Sequence, residues 1–445
     1  MNIIQLTPGA GAMFCGNCLR DNALVTVLRS LGHNTLMVPL YLPLTLDEPD
    51  QSAETPIFFS GINVYLEQKS ALFRQAPRWF HDLLASRSLL KWAAGRAAKT
   101  RAADLGELTL SMLRGEHGNQ ARELDTLIAW LKTQPSPDVI CLSNVLLVGM
   151  ARRLKQALGA PVVCMLQGED SFLDALPASH RDACWQTLAD RASDVSLFVA
   201  PSYYFANLMQ HRLELAPERL KVVHNGINLE GYRHQPPAAN LRPSIGTPRS
   251  HPLVLGYFAR MCREKGLPAL IEAFIEIRAR GRLPQLKLHV GGSCGPADEL
   301  VVEDLRARLA SAGLSSDAVF FPNLERSEKI AFLHGLSAFS VPALYGEAFG
   351  LYLLEALAAG VPVVQPRTAA FTEIVEATGG GVLCAPDDTK ALADAIESLL
   401  LEPGLAQALG AAGRKAVFEK FSAEAMTRSW LALLQSLTRR KVGAS

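Results

Sequence analysis

Two glutamates eight positions apart, Glu347 and Glu355, bracket a stretch that could seat a phosphate. The chain reads Tyr345-Gly346-Glu347-Ala348-Phe349-Gly350, then Leu-Tyr-Leu-Leu-Glu-Ala-Leu-Ala-Ala, closed by Gly360 and Pro362. That pattern predicts a helix over 351–359 with a C-terminal glycine stop. The helix is apolar on nearly every face, so burial is expected, and Glu355 is its single charge. A carboxylate there is costly unless hydrogen-bond donors reach it. Between the two acids lies the helix N-terminus, whose free N–H groups and dipole favour an anion. Acids can accept hydrogen bonds from sugar hydroxyls, and the seat suits a diphosphate, so the outline is that of a nucleotide-sugar site. A second pair of residues, Arg260 and Lys265, shares the loop 259–266. An arginine fork and a lysine point charge five apart can clamp a diphosphate. A solvated loop would also carry two cations. The phosphate seat at 349–351, in the same stretch of alternating strands and helices, favours the clamp.

These loops need strands to carry them. The hydrophobic pattern predicts strands at 1–7, 137–143, 161–166, 197–201 and 221–224. A second set is predicted at 253–258, 286–290, 319–321, 339–344, 361–365 and 382–383. A first strand, a glycine loop 8–12 containing Gly11, and a helix 19–31 form the opening of a doubly wound α/β domain. The glycine loop reads equally as a tight turn or as a close backbone approach to a ligand. The strand 161–166 runs into Gln167-Gly168-Glu169-Asp170, polar groups at a carboxyl end, where open α/β sheets bind ligands. Residues 67–133 are helical in pattern and interrupt the rhythm as an insertion. A Pro- and Ser-rich stretch, 233–251, reads as a linker. The fold class is therefore α/β, with two Rossmann-like doubly wound domains at 1–232 and 252–421 and a final amphipathic helix in 422–445.

Composition narrows the partners. A chain of 445 residues is long for one core, and 49% hydrophobic with 20% charged residues is ordinary for a globular protein. A net charge of +1 gives no general pull towards nucleic acid. No apolar run approaches a membrane span. The opening Met-Asn-Ile-Ile-Gln-Leu is a strand start without a basic leader, so a cytoplasmic location is expected. Eight scattered cysteines fit buried, reduced thiols. Cys15-Gly16-Asn17-Cys18 stands before a helix, where a dipole can lower a thiol pKa and make a redox pair. Packing or substrate contact is the favoured reading, and the lack of a second pair argues against a four-cysteine zinc site. Between 67 and 101 eight basic residues interleave with aromatic and leucine residues against two acids. A packed insertion with a solvated basic face is favoured over peripheral contact with an anionic membrane, and sedimentation with anionic liposomes separates the two.

The motifs together resemble the retaining glycosyltransferases of group 1, family 4, which have the two-domain GT-B fold with the domains facing across a cleft. The stretches that carry the resemblance are Leu31-Gly32-His33, Pro137-Asp138-Val139-Ile140, Ala200-Pro201-Ser202 and Val222 through Asn228. Phe258-Ala259-Arg260 to Lys265-Gly266 and the E-x7-E motif from Glu347 to Glu355 complete them. The resemblance implies that Arg260 and Lys265 hold the donor diphosphate and stabilise the leaving phosphate, with Glu347 at the donor sugar. It places Gly11, Ala348, Phe349, Gly350, Leu351 and Glu355 among donor-binding residues, Glu355 at the ribose. The first domain becomes the acceptor domain, the second the donor domain, and the last helix crosses back onto the first. The leaving phosphate oxygen then helps deprotonate the acceptor. No D-x-D triplet occurs, so no metal or other cofactor is expected. Three positions depart from the family pattern. Gln167 replaces a frequent His, leaving Gln167, Glu169 and Asp170 as acceptor-side candidates. Asn228 replaces an Asp. Ala369-Ala370-Phe371-Thr372-Glu373 lacks the usual glycines. The implied activity is transfer of a sugar from a nucleotide-sugar to a sugar, lipid-linked or small-molecule acceptor. The alternatives are a GT-B epimerase or phosphorylase, or a catalytically silent sugar-nucleotide-binding protein.

Overall fold

The computed structural model describes residues 1–9, 15–60, 64, 66, 68, 102–233 and 252–442. Gly11, the linker core 234–251 and nearly all of the basic stretch 67–101 lie outside the described residues. The chain divides into two units, residues 1–224 with 426–445, and residues 225–425.

In the first unit the elements run β1 (Asn2–Thr7), α1 (Gly16–Ser30), β2 (Asn34–Pro39), α2 (Ala102–Leu113), α3 (Ala121–Leu131) and β3 (Val139–Leu142). They continue through α4 (Ala151–Leu158), β4 (Val162–Met165), α5 (Glu169–Asp174), α6 (Ala178–Arg191), β5 (Leu197–Ala200), α7 (Tyr203–Arg212) and β6 (Leu220–Val222). The six strands are parallel in the order β2-β1-β3-β4-β5-β6. Strands β3, β4 and β5 are buried at every position, as sheets covered on both faces require. Ser202 caps α7 by accepting from the Phe205 amide. One face of the sheet packs Ile3, Val139, Val163 and Val199 with Met426, Trp430, Leu431 and Leu434 of the last helix.

The second unit holds β7 (Val254–Phe258), α8 (Leu267–Ala279), β8 (Lys287–Gly292), α9 (Glu299–Ser311), β9 (Ala318–Pro322), α10 (Arg326–His334) and β10 (Ala338–Phe339). Then come α11 (Leu351–Ala358), β11 (Val363–Pro366), α12 (Ala369–Thr378), β12 (Gly381–Cys384), α13 (Thr389–Leu401) and α14 (Pro403–Lys420), ahead of the final helix α15 (Ala423–Val442). Its sheet is also parallel, in the order β12-β11-β10-β7-β8-β9.

The sequence pattern erred in particular places. The run 339–344 was expected as a strand, yet only Ala338 and Phe339 join the ladder. The last bond to β7 is from the Ser340 amide to Gly256 O at 3.0 Å, and Pro342, two residues on, has no N–H with which to extend the ladder. Strand β2 and helices α9, α10 and α12 were not foreseen. A domain boundary at 232 is also too late, because Ile227, Leu229 and Tyr232 belong to the second unit's core. The bridge between Ile227 and Ser422 and the Ile227 amide bond to Phe421 O, at 3.0 Å, hold that segment in place.

Candidate active site

In the second sheet the strand order reverses between β7 and β10, which lie side by side. Loops leaving the carboxyl ends of such strands diverge and open a crevice where ligands bind. The two loops at this point are the one carrying Arg260 and Lys265 and the one carrying Glu347. A bond from the Leu344 amide to Glu264 O, at 2.9 Å, ties them together.

Glycines set how closely they approach. Gly266 caps α8 with φ +74°, and a Cβ there would lie 1.7 Å from Pro342 O. Gly350 caps α11 with φ +91°. Both take the left-handed backbone that glycine adopts without a steric cost.

Lys265 reaches across from its loop. Its Nζ is 2.5 Å from Glu347 Oε2. It also lies over the rings of Tyr345 and Tyr352, 4.9 and 5.3 Å from their centroids. The Tyr352 hydroxyl donates to the same Glu347 oxygen at 2.8 Å, and Tyr345 does so at 3.3 Å. Burial alone would pull the ammonium down; Glu347 and Tyr345 outweigh it and hold the lysine above its ordinary value. Burial lifts both tyrosines, so they remain neutral donors. The cluster fixes an ammonium and its paired carboxylate where the two loops meet, with Tyr352 in the first turn of α11.

Arg260 is held differently. Its Nε is 3.0 Å from each Asp298 carboxylate oxygen, and that pairing raises it. Asp298 is buried, while the guanidinium side chain is 51% exposed, so the fork is anchored on one edge and open on the other. The Tyr257 hydroxyl, donating to Arg260 O at 2.7 Å, fixes the backbone beneath it.

Glu355 lies one helix turn further in. The cost expected for its charge in an apolar helix is offset by Lys329 of α10, whose Nζ is 2.9 Å from Oε1. The amide of Ala370 donates to Glu347 O at 3.3 Å, and Ala369 takes φ +49° at the start of α12. The left-handed turn that glycine usually supplies is therefore kept by an alanine, at a strain of about 1–2 kcal/mol.

Asp298, Lys329, Tyr345 and Tyr352 were not singled out from the sequence. The tyrosines offered a signal, as phenols inside or beside an otherwise aliphatic helix. Asp298 and Lys329 offered none, since their partners are distant along the chain. Ala348 and Phe349 are buried, and the Phe349 ring packs near Phe421 at 6.4 Å. Leu351 begins α11.

The remaining candidates belong to the first unit. Glu169 is buried at the start of α5 and accepts from the amides of Val145, at 2.9 Å, and Gln167, at 2.7 Å. Burial raises its carboxyl and those amides oppose the rise. It staples the loop after β3 to the loop after β4. Asp170 has one buried oxygen without a hydrogen-bond partner among the described residues, and burial raises its carboxyl too. Nearby, Arg20 and Asp21 form a fully buried pair at 2.7 Å, with Thr7 donating to Asp21 at 2.8 Å and Arg20 donating to Ser143 O at 2.8 Å.

Residues 242–416 match the family described as "Glycosyl transferases group 1", and residues 105–230 match "Glycosyltransferase Family 4". The chain is 33% identical over 202 residues to a glycogen synthase of Mycobacterium tuberculosis, covering 45% of either protein. The matches span about half the length of such curated relatives. Among solved structures it resembles the sucrose-phosphate synthase of Thermosynechococcus elongatus, with TM-score 0.69, 19% identity and 100% of both chains covered. It also resembles Anabaena Alr3699/HepE in complex with UDP-glucose, with TM-score 0.65, 17% identity, and 98% of this chain and 100% of the other covered. Two parallel-sheet α/β domains with these structural neighbours make a GT-B fold. With its second unit matched to the group 1 profile and its first to family 4, the chain belongs to the group 1, family 4 glycosyltransferases.

Proposed function

We propose that the protein is a retaining glycosyltransferase that moves a sugar from a nucleotide-sugar donor to an acceptor. The observation that carries the reading is the meeting of Lys265, Glu347 and the N-terminus of α11 at the reversal point of the second sheet, with Arg260 on the same loop as Lys265. As the bond to the leaving diphosphate breaks, negative charge grows on its oxygens. Lys265, the open edge of Arg260 and the amides at Gly350 and Leu351 supply positive potential where that charge develops. In this reading Glu347, its Oε2 held by Lys265 and two phenols, accepts from the hydroxyls of the donor sugar. In this reading Glu355, paired with Lys329, accepts from the ribose hydroxyls.

Retention follows in this reading from a donor phosphate oxygen that helps take the acceptor proton on the same face of the sugar. No residue is required as nucleophile. On the acceptor side Asp170 is the stronger candidate, since the Glu169 carboxylate already serves two backbone amides. Gln167 lacks basicity and would only bind. The charge stabilisation comes from side chains and backbone, so turnover should persist in EDTA.

The donor is a nucleoside-diphosphate sugar; HepE in complex with UDP-glucose makes a uridine donor the first to try. The acceptor is a sugar, a lipid-linked or a small-molecule acceptor, the lipid-linked class going with peripheral membrane contact through 67–101. Among the described residues no helix is long and apolar enough to cross a membrane.

A thermal-shift screen with UDP, GDP, ADP and their sugars tests the proposal. One nucleotide family should raise the melting temperature and the others should not, because a ligand that binds only the folded state stabilises it by mass action. Incubating the stabilising sugar without acceptor should give at most slow hydrolysis. Rapid conversion to an isomeric sugar would favour an epimerase instead, and no stabilisation by any nucleotide would end the proposal.

A further inference from the structure

Cys15 and Cys18 are absorbed by none of the chemistry above. They stand where the loop from β1 enters α1, and in the first sheet β1 and β3 flank the reversal of strand order. Cys15 is the residue before the first turn of α1, with extended backbone at φ −123° and ψ 123°, and its carbonyl accepts from the Leu19 amide at 3.0 Å. Cys18 lies three positions on, in that first turn, so the two side chains share one end of the helix.

Side chains three positions apart over the first turn of a helix are neighbours, and as hydrogen-bond partners Cys18 lowers the Cys15 thiol while Cys15 raises that of Cys18. The amides of Asn17 and Cys18 face the Cys15 sulfur without completing a cap bond of standard geometry. Exposure separates the pair: Cys15 is half-buried and Cys18 fully buried. Of the other six cysteines, Cys141, Cys164, Cys184, Cys262 and Cys384 are buried and Cys294 is half-buried; burial raises each of those thiols, and none has a second thiol as its hydrogen-bond partner.

We propose that Cys15 and Cys18 form a thiol–disulfide exchange site that reacts with small-molecule disulfides, Cys15 attacking and Cys18 resolving. The Cys15 thiolate attacks one sulfur of the small disulfide, forms a mixed disulfide and expels one thiolate. Cys18 gives up its proton and attacks the Cys15 sulfur, forming the Cys15–Cys18 bond and expelling the second thiolate. The small disulfide is reduced by two electrons to two thiols, and the protein dithiol is oxidised by the same two. The division of labour follows from the environment. The Cys18 thiol stabilises the Cys15 thiolate and holds it at about 6, against the opposing effects of burial and Asp21. The same contact, with burial, pushes Cys18 up, so it keeps its proton until Cys15 has reacted. The resulting bond would tie the residue before α1 to the helix's first turn.

The test uses the full chain in buffers of graded reduced-to-oxidised glutathione ratio, quenched with N-ethylmaleimide and mapped by peptide mass spectrometry. A Cys15–Cys18 linked peptide, two hydrogens lighter than the dithiol, should build up while the other six cysteines remain alkylatable after denaturation. Cys18→Ser should trap Cys15 as the glutathione adduct. At pH 7 iodoacetamide should modify Cys15 at least about tenfold faster than Cys294, as a thiol that is mostly ionised there does. Free Cys15 and Cys18 at every glutathione ratio would overturn the proposal, as would indiscriminate oxidation of the other cysteines. Should Cys18→Ser fail to fold, the map of the unaltered chain decides. None of these readouts depends on donor or acceptor, so they stand apart from the proposed transferase activity.

Discussion

Replacing Lys265 with methionine is expected to lower turnover by about 10²–10³-fold, the usual loss when one preorganised charge donor is removed from a reaction that develops an oxyanion. Methionine keeps much of the length and apolar stem, so the rings of Tyr345 and Tyr352 retain a neighbour. Only the positive head is lost. The change also leaves Glu347, whose side chain is 14% exposed, without its cation. Breaking a largely buried pair costs about 3–5 kcal/mol in a fully desolvated site. A lower melting temperature should therefore accompany the loss of rate. The two effects separate cleanly: kcat is measured at a temperature where circular dichroism shows the variant folded, and Lys265→Met with Glu347→Gln is melted beside it. The double variant should recover stability and not turnover. Full activity in folded Lys265→Met would remove Lys265 from the chemistry. The sign of its pH dependence is set by the raised ammonium. Its stabilising contribution is complete below the unfolded value of about 10.4 and fades only as pH rises through the higher folded value. Lys265 should contribute no step to a pH–rate profile between about 6 and 9.

Gly266→Ala is the second large expectation, and it acts on the fold. Alanine must take φ +74° with its Cβ 1.7 Å from Pro342 O, a backbone atom in the neighbouring loop. The left-handed backbone costs about 1–2 kcal/mol, and relieving the clash requires the two loops to part. The total expected is about 3–5 kcal/mol, at the upper end for a single substitution. Denaturant melts should show it as a lower midpoint with little change in slope. Gly313→Ala is the matched control, with φ +72° and open space around the added carbon, and should lose only the backbone share. Equal losses in the two variants would show that the contact between the loops is unimportant.

The contrast between these glycines illustrates what a sequence can and cannot tell. Gly266 and Gly313 look alike in the chain, each following a polar or helical segment. One is closed in by a proline carbonyl and the other is free, because the first sits where two loops converge.

The E-x7-E spacing, the Arg260 and Lys265 loop, the alternation of strands with helices and the glycine stops are local properties, and one-dimensional pattern suffices to read them. They point to a parallel α/β chain with a phosphate seat and two cations nearby. Tertiary structure alone decided which partner each charge would have. Lys265 meets Glu347 and two phenols, Arg260 meets Asp298, and Glu355 meets Lys329, over separations of 82, 38 and 26 positions. Strand order brings those groups together, and strand order is not written in any local pattern. The early end of β10 at Phe339, the positive φ of Ala369 and the use of Glu169 as a backbone staple were likewise settled by packing. The physical reason is common to all of them. Hydrophobic periodicity reports which face of an element is buried, whereas a buried charge finds its counter-charge only where the assembled sheet happens to place it.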